Sequence, residues 1–167
     1  MKERNRTQIL ALGGFLAILA IVVAVVLIGR SGDDGGGDSS ALTDTSVKPV
    51  IEVPSEPAPR ELAVDDIVEG DGDVAKAGDQ ISVQYVGVDY ETGEQFDASW
   101  DTGQPFDFEL GAGGVIPGWD EGIEGMKVGG RRELVIPPDL AYGPQGQPPA
   151  IGPNATLVFV VDLLDVQ

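Results

Sequence analysis

A run of twenty apolar residues near the N-terminus, from Ile9 to Ile28, constrains the fold of this chain more than any other feature. The run carries no charge, and as a helix rising about 1.5 Å per residue it would cross roughly 30 Å of hydrocarbon. A cleavable signal peptide has a shorter apolar region of about 7–15 residues. A transmembrane signal anchor is therefore the favoured interpretation, and a long, cleaved signal peptide is the alternative.

The charges on either side of this run predict its orientation. Lys2, Arg4 and Arg6 precede it, whereas the chain becomes acidic after Arg30. Basic residues are enriched on the cytoplasmic side of membrane spans. We therefore expect residues 1–8 to form a cytoplasmic stub, the span at 9–28 to cross the membrane once, and the remaining chain to lie outside the cytoplasm.

Residues 29–60 are rich in glycine, aspartate, serine and proline and show little hydrophobic periodicity. This composition is typical of a disordered linker. Prolines are concentrated in its second half and favour an extended conformation there. We expect the linker to tether a folded domain that begins at residue 61.

Residues 61–167 show the alternating patterns of short strands. The candidate strands are "QISVQYVGVDY" (80–90), "PFDFEL" (105–110), "RRELVIP" (131–137) and "ATLVFVVDLLDVQ" (155–167). Between Gly118 and Met126 there is room for only a short helix. The sequence therefore predicts an α+β domain in which one short helix covers an antiparallel sheet.

Composition excludes several classes of function. The 167 residues include no cysteine and no histidine, which excludes a cysteine nucleophile, a Ser–His–Asp triad, and thiolate or imidazole metal sites. The net charge of −18 argues against nucleic-acid binding, which needs a basic surface. We expect no metal, no cofactor and no nucleic-acid partner, and we expect a monomer.

Several longer motifs are informative together. The segments "FDAS", "VIPGW", "GMKVGGRREL", "PPDLAYG" and "ATLVF" resemble the FKBP-type peptidyl-prolyl cis–trans isomerases and follow that family's order across residues 62–167. The resemblance implies a bent antiparallel sheet wrapped around one short helix. It also implies isomerase activity on proline-containing polypeptides, and binding of macrolide inhibitors such as tacrolimus and rapamycin.

The resemblance further implies which residues form the site. Trp119 would be the floor of a proline pocket, Asp97 would lie at the rim beside the twisting amide, and Tyr142 would donate to a substrate carbonyl. The remaining substrate-binding positions are the walls Tyr85, Phe96, Phe106, Val115, Ile116 and Phe159 and the lip Ile151, with the Ile116 N–H as a further donor. Rim positions that depart from residues common in the family are Thr102, Gln147 and Ala150.

Such a site suits a chain without histidine or cysteine. Rotation about an X–Pro amide breaks no covalent bond, and a dry apolar pocket with fixed polar groups at its rim can favour the twisted amide over the planar one. Two other functions fit the same sequence. The domain could hold proline-containing segments without turnover as a tethered chaperone or scaffold, or its acidic surface could recruit a basic partner.

Overall fold

The structure, a computed structural model, describes residues 40–167. The predicted span at 9–28 and the first part of the predicted linker lie outside the described residues. Within residues 40–167, the structure has no helix that is both long enough and apolar enough to cross a membrane.

The described residues form six strands and two short α-helices. Their bounds are α1 (Ser40–Thr43), β1 (Ala63–Val68), β2 (Gln80–Asp89), β3 (Gln95–Ala98), β4 (Phe106–Glu109), α2 (Pro117–Ile123), β5 (Arg131–Ile136) and β6 (Leu157–Val166). Single 3-10 turns occur at Ser99–Asp101, Pro138–Leu140 and Gly143–Gln145.

The strands form one antiparallel sheet with β2 near its centre. The order is β1-β5-β6-β2-β3, and β4 also pairs with β2. One edge of β2 pairs with β6 along its length, from Ile81 opposite Val166 to Asp89 opposite Leu157. The other edge is divided, because β4 pairs with residues 80–83 and β3 with residues 86–88. Tyr85 therefore lies at the gap between β3 and β4.

Helix α2 lies directly on one face of this sheet. A Cβ atom on Gly118 would fall 2.4 Å from Ile136 Cγ2, and one on Gly122 would fall 2.7 Å from Leu134 Cδ2. Only glycine permits so close an approach at these two positions. The predicted α+β arrangement, an antiparallel sheet covered by one short helix, is confirmed.

The predicted strand segments contain β2, β4, β5 and β6, whereas β1 and β3 were not predicted. β1 has the sequence "AVDDIV" and lies at the edge of the sheet with three consecutive exposed residues, so it lacks the alternation of a half-buried strand. β3 has only four residues. Neither pattern is long or regular enough to be distinguished from a turn.

Residues 42–58, which we call the strap, lie along the sheet face opposite α2. Pro49 is buried, and Ile51, Val53 and Ala58 pack against a second hydrophobic cluster. The buried members of that cluster are Val86, Val88, Tyr90, Ala98, Val135 and Val158. The prediction of a disordered linker up to residue 60 is therefore wrong for the strap, because a few apolar residues spaced among prolines dock on the sheet without producing a recognisable local pattern.

A buried ion pair attaches the strap to the sheet. Arg131 on β5 faces Asp162 on β6, and their side chains are 0% and 1% exposed. Two hydrogen bonds join them, and one runs from the Arg131 guanidinium to Asp162 Oδ2 at 2.9 Å. The same guanidinium also donates to the strap carbonyls of Leu42 at 3.0 Å and Val47 at 2.8 Å.

Candidate active site

Six aromatic rings from five elements meet on the α2 side of the sheet. Trp119, in the first turn of α2, is 4% exposed and contacts Tyr85 and Phe159 edge-on, with ring centroids 5.0 and 5.2 Å apart. Phe96 meets Phe159 at 5.5 Å, and Phe106 meets Tyr85 at 6.2 Å. The structure thus brings the predicted floor and the predicted aromatic walls into one cluster.

The sixth ring, Phe108, is buried beneath Phe106 with its centroid 5.4 Å away. It is a core residue and does not line the cavity. Gly87 on β2 leaves the space that the rings occupy, since a Cβ atom there would fall 2.7 Å from both Phe159 Cε1 and Phe96 Cζ.

A cavity of about 300 Å³ opens beside this cluster. Its lining residues are Phe96, Asp97, Tyr142, Gln147, Pro148, Ala150 and Ile151. Four of the ten predicted site residues are therefore at the cavity, whereas Tyr85, Phe106 and Phe159 belong to the ring cluster and are not in the lining. Trp119 is not in the lining, because its ring is buried against Tyr85 and Phe159. Val115 and Ile116 are also outside the lining and pack, partly buried, against the core.

Asp97 is held at the cavity by Tyr85. The Tyr85 hydroxyl donates to Asp97 Oδ2 at 2.6 Å, from β2 to β3. Burial, and then this hydrogen bond, raise the pKa of Tyr85; burial, and then the charge of Asp97, raise the pKa of Tyr142. Both phenols are therefore protonated donors at neutral pH. Among residues 40–167, the Tyr142 hydroxyl has no hydrogen-bond partner, so it is available to a ligand.

The gap between β3 and β4 is closed by side chains that the sequence analysis did not identify. The Tyr85 N–H donates to Ser99 Oγ at 2.8 Å, and Ser99 Oγ in turn donates to Gln84 Oε1. Ser99 begins the 3-10 turn that follows β3. It belongs to the "FDAS" motif, but nothing in that motif alone indicates that its hydroxyl replaces a strand partner for Tyr85.

The loop between β4 and α2 is held by Asp120, another residue that the sequence analysis did not identify. Asp120 Oδ1 accepts the Gly111 N–H at 2.8 Å and Oδ2 accepts the Gly113 N–H at 3.1 Å. The loop ends at Ile116, whose N–H has no acceptor among the described residues. In a sequence, an acidic residue such as Asp120 in the first turn of a helix suggests only an interaction with the helix dipole, so its hydrogen bonds to the loop were not predicted.

The lip of the cavity is a tight backbone pairing. Gln147 and Ile151 exchange two hydrogen bonds of 2.9 and 3.0 Å, and Ile151 is buried. Thr102 lies away from the cavity lining, with its hydroxyl donating to the Ser99 carbonyl at 2.9 Å. Across residues 40–167 no group of acidic side chains is arranged to hold a metal ion.

Comparisons with known proteins agree with this geometry. The family model for FKBP-type peptidyl-prolyl cis-trans isomerase matches residues 72–164. The chain is 58% identical to the FK506-binding protein of Streptomyces anulatus over 120 residues, which cover 71% of this chain and 97% of that one. It is 55% identical to the probable FK506-binding protein of Corynebacterium glutamicum over 117 residues, 70% of this chain and 97% of that one.

A solved structure shows the same fold. The crystal structure of AtFKBP13 matches with a TM-score of 0.61 and 39% sequence identity, covering 66% of this chain and 96% of that chain. The Streptomyces match also extends into the strap, because 71% of 167 residues is about 119, more than the 107 residues from 61 to 167. From its motifs, its fold and these relatives, the chain belongs to the FKBP-type peptidyl-prolyl cis–trans isomerase family.

Proposed function

We propose that the domain catalyses rotation of X–Pro bonds in exported or membrane-proximal polypeptides and thereby assists their folding. The observation that carries this proposal is the Tyr85–Asp97 hydrogen bond at the mouth of a cavity backed by aromatic rings. Resonance gives the amide a rotational barrier of about 18–20 kcal/mol. A cavity that receives the proline ring away from water disfavours the planar, more polar amide relative to the twisted one.

We assign each side chain of the site a role from its position. The proline ring binds in the cavity against Phe96 and the aromatic cluster behind it, and Ile151 covers it. Asp97 lies beside the rotating amide, where a fixed carboxylate adds electrostatic stabilisation to the twisted state. The Tyr142 hydroxyl and the Ile116 N–H are free donors, and we assign them to carbonyl groups of the substrate.

The location of the substrates rests on the N-terminal sequence. The uncharged run from Ile9 to Ile28 and the basic residues before it support a single-pass anchor with the domain outside the cytoplasm. Uncatalysed X–Pro isomerisation takes tens to hundreds of seconds, which is slow enough to be a rate-limiting step in folding. The names of the bacterial relatives support tacrolimus, which is FK506, as a ligand of this cavity.

The activity is tested on the full-length chain in detergent with a proline-containing peptide. We expect Tyr142→Phe to lower kcat/KM by about 2- to 12-fold, the effect of one hydrogen bond. Tyr90→Phe is the matched control, because Tyr90 lies on the opposite sheet face and its hydroxyl is 3.4 Å from the Glu56 carbonyl. Equal activity of the two variants would remove Tyr142 from the mechanism.

The same assay separates catalysis from simple binding. The rate should be flat between about pH 6 and 8, since Tyr85 and Tyr142 stay protonated and there is no histidine or cysteine. Tacrolimus should inhibit it. Tacrolimus binding by calorimetry without any isomerase activity would instead identify a module that only holds proline-containing segments.

The orientation is tested by protease accessibility. External protease added to intact cells or spheroplasts should remove the domain and leave the stub before Ile9 protected, because only the chain after the span faces outward. A cytosolic marker protein that stays intact is the control for membrane integrity. Recovery of the full-length chain in the cytosolic fraction would contradict the anchored topology.

A further inference from the structure

The strap contacts the turn that follows β3. Lys48 Nζ forms an ion pair with Asp101 Oδ1, and Asp101 Oδ2 accepts a hydrogen bond from Gln95 Nε2 at 2.8 Å. Asp101 ends the 3-10 turn that Ser99 begins, and Gln95 begins β3. A single carboxylate therefore joins the strap, the turn and the strand that carries Asp97.

The same turn fixes the rim of the cavity. Its first residue, Ser99, accepts the Tyr85 N–H, while Tyr85 donates its hydroxyl to Asp97. Its middle residue, Trp100, packs against the second hydrophobic cluster, and so does Ile51 of the strap. The turn is thus held from the cavity side by Tyr85 and from the opposite side by the strap.

The backbone around Lys48 is held by contacts other than the ion pair. The preceding carbonyl, that of Val47, accepts a hydrogen bond from buried Arg131, and the following residue, Pro49, is buried. An exposed ion pair usually contributes little because ordering two long side chains offsets the attraction. Here the docked strap already orders the backbone that carries Lys48, so forming the ion pair costs less conformational entropy.

We propose that Lys48 is a positioning residue, which acts through Asp101 to hold the Asp97–Tyr85 rim in its active geometry. The strap is accordingly a part of the catalytic domain, although it precedes residues 72–164 that match the family model. This inference rests on the roles proposed above for Asp97 and Tyr85.

The experiment uses the full-length chain in detergent and a proline-containing peptide. Lys48→Met should lower kcat about two- to five-fold with KM unchanged, because the aromatic walls that bind proline keep their places. Lys48→Arg should restore kcat. The matched control is Lys127→Met, which removes a similar surface pair, Lys127 to Glu69 at 2.6 Å, away from the rim. It should leave kcat unchanged.

Two further readouts make the result decisive. In an Asp101→Asn background, Lys48→Met should change kcat no further. The amide resonances of Asp97 and Ser99 should shift in Lys48→Met and stay in place in Lys127→Met, which tests the coupling even if the chain has no isomerase activity. Unchanged resonances, an unchanged kcat, or an equal loss in the Asp101→Asn background would overturn the proposal.

Discussion

Replacing Arg131 with methionine should lower the free energy of unfolding by about 3–5 kcal/mol. The substitution leaves Asp162 buried, at 1% exposure, without its charged partner. It also removes the donors to the carbonyls of Leu42 and Val47, so the strap loses these two hydrogen bonds. Urea denaturation followed by tryptophan fluorescence measures the change. Lys127→Met, which removes an exposed pair, should cost at most about 1 kcal/mol.

A double variant separates the two causes. Combining Arg131→Met with Asp162→Leu removes the unpaired charge and should recover most of the loss, since apolar residues often replace a buried ion pair without cost. If the double variant stays as unstable as the single one, the loss arises from the strap carbonyls. A loss below about 1 kcal/mol in Arg131→Met would contradict the structural importance of the pair.

The protein should also become more stable as the pH falls from about 8 to 5.5, by about 2 kcal/mol. Burial, and then the charge of Asp65 on the neighbouring strand, raise the pKa of Glu133 to about 7 from an ordinary value of 4.5. Between these two values the folded protein binds a proton that the unfolded chain does not. Stability therefore falls as the pH rises through this window and levels off above it.

Glu133→Gln should abolish most of this dependence. The variant should be more stable than the parent protein near pH 8, and this advantage should be about 2 kcal/mol smaller near pH 5.5, because glutamine carries no charge to bury and binds no proton. Thermal unfolding at both pH values measures this, and about 2 kcal/mol corresponds to roughly 5–10 °C in Tm. A variant with the same pH slope as the parent would assign the effect to other acidic groups. Catalytic rate, by contrast, should stay flat near neutrality.

The parts of the fold that the sequence predicted are those in which a local pattern coincides with burial. β2 and β6 alternate or run apolar because the sheet buries them, and α2 was placed by the short interval around Trp119. The aromatic cluster was predicted from motifs shared with a known family. These features can be predicted without knowing which residues far apart in the sequence contact each other.

The parts that were missed depend on partners far away in sequence. The strap is stabilised by the guanidinium of Arg131, 84 positions after Val47, and by a sheet face that no local pattern reveals. Ser99 serves the site because the divided edge of β2 leaves the Tyr85 N–H without a strand partner. Asp120 supports the site because it accepts hydrogen bonds from two glycine N–H groups of the loop before α2. Each of these depends on topology rather than on composition.

Docking of the strap also limits the distance between the cavity and a membrane in which the chain is anchored. With residues 9–28 anchored as proposed, only residues 29–41 remain between the bilayer and the strap, and they reach at most about 45 Å. A free linker over 29–60 would reach about 110 Å. The described part of the chain, 128 residues, has a radius of gyration of about 14 Å. The isomerase would therefore stay within roughly one to two of its own diameters of the bilayer, where the high local concentration favours chains that are just emerging from it.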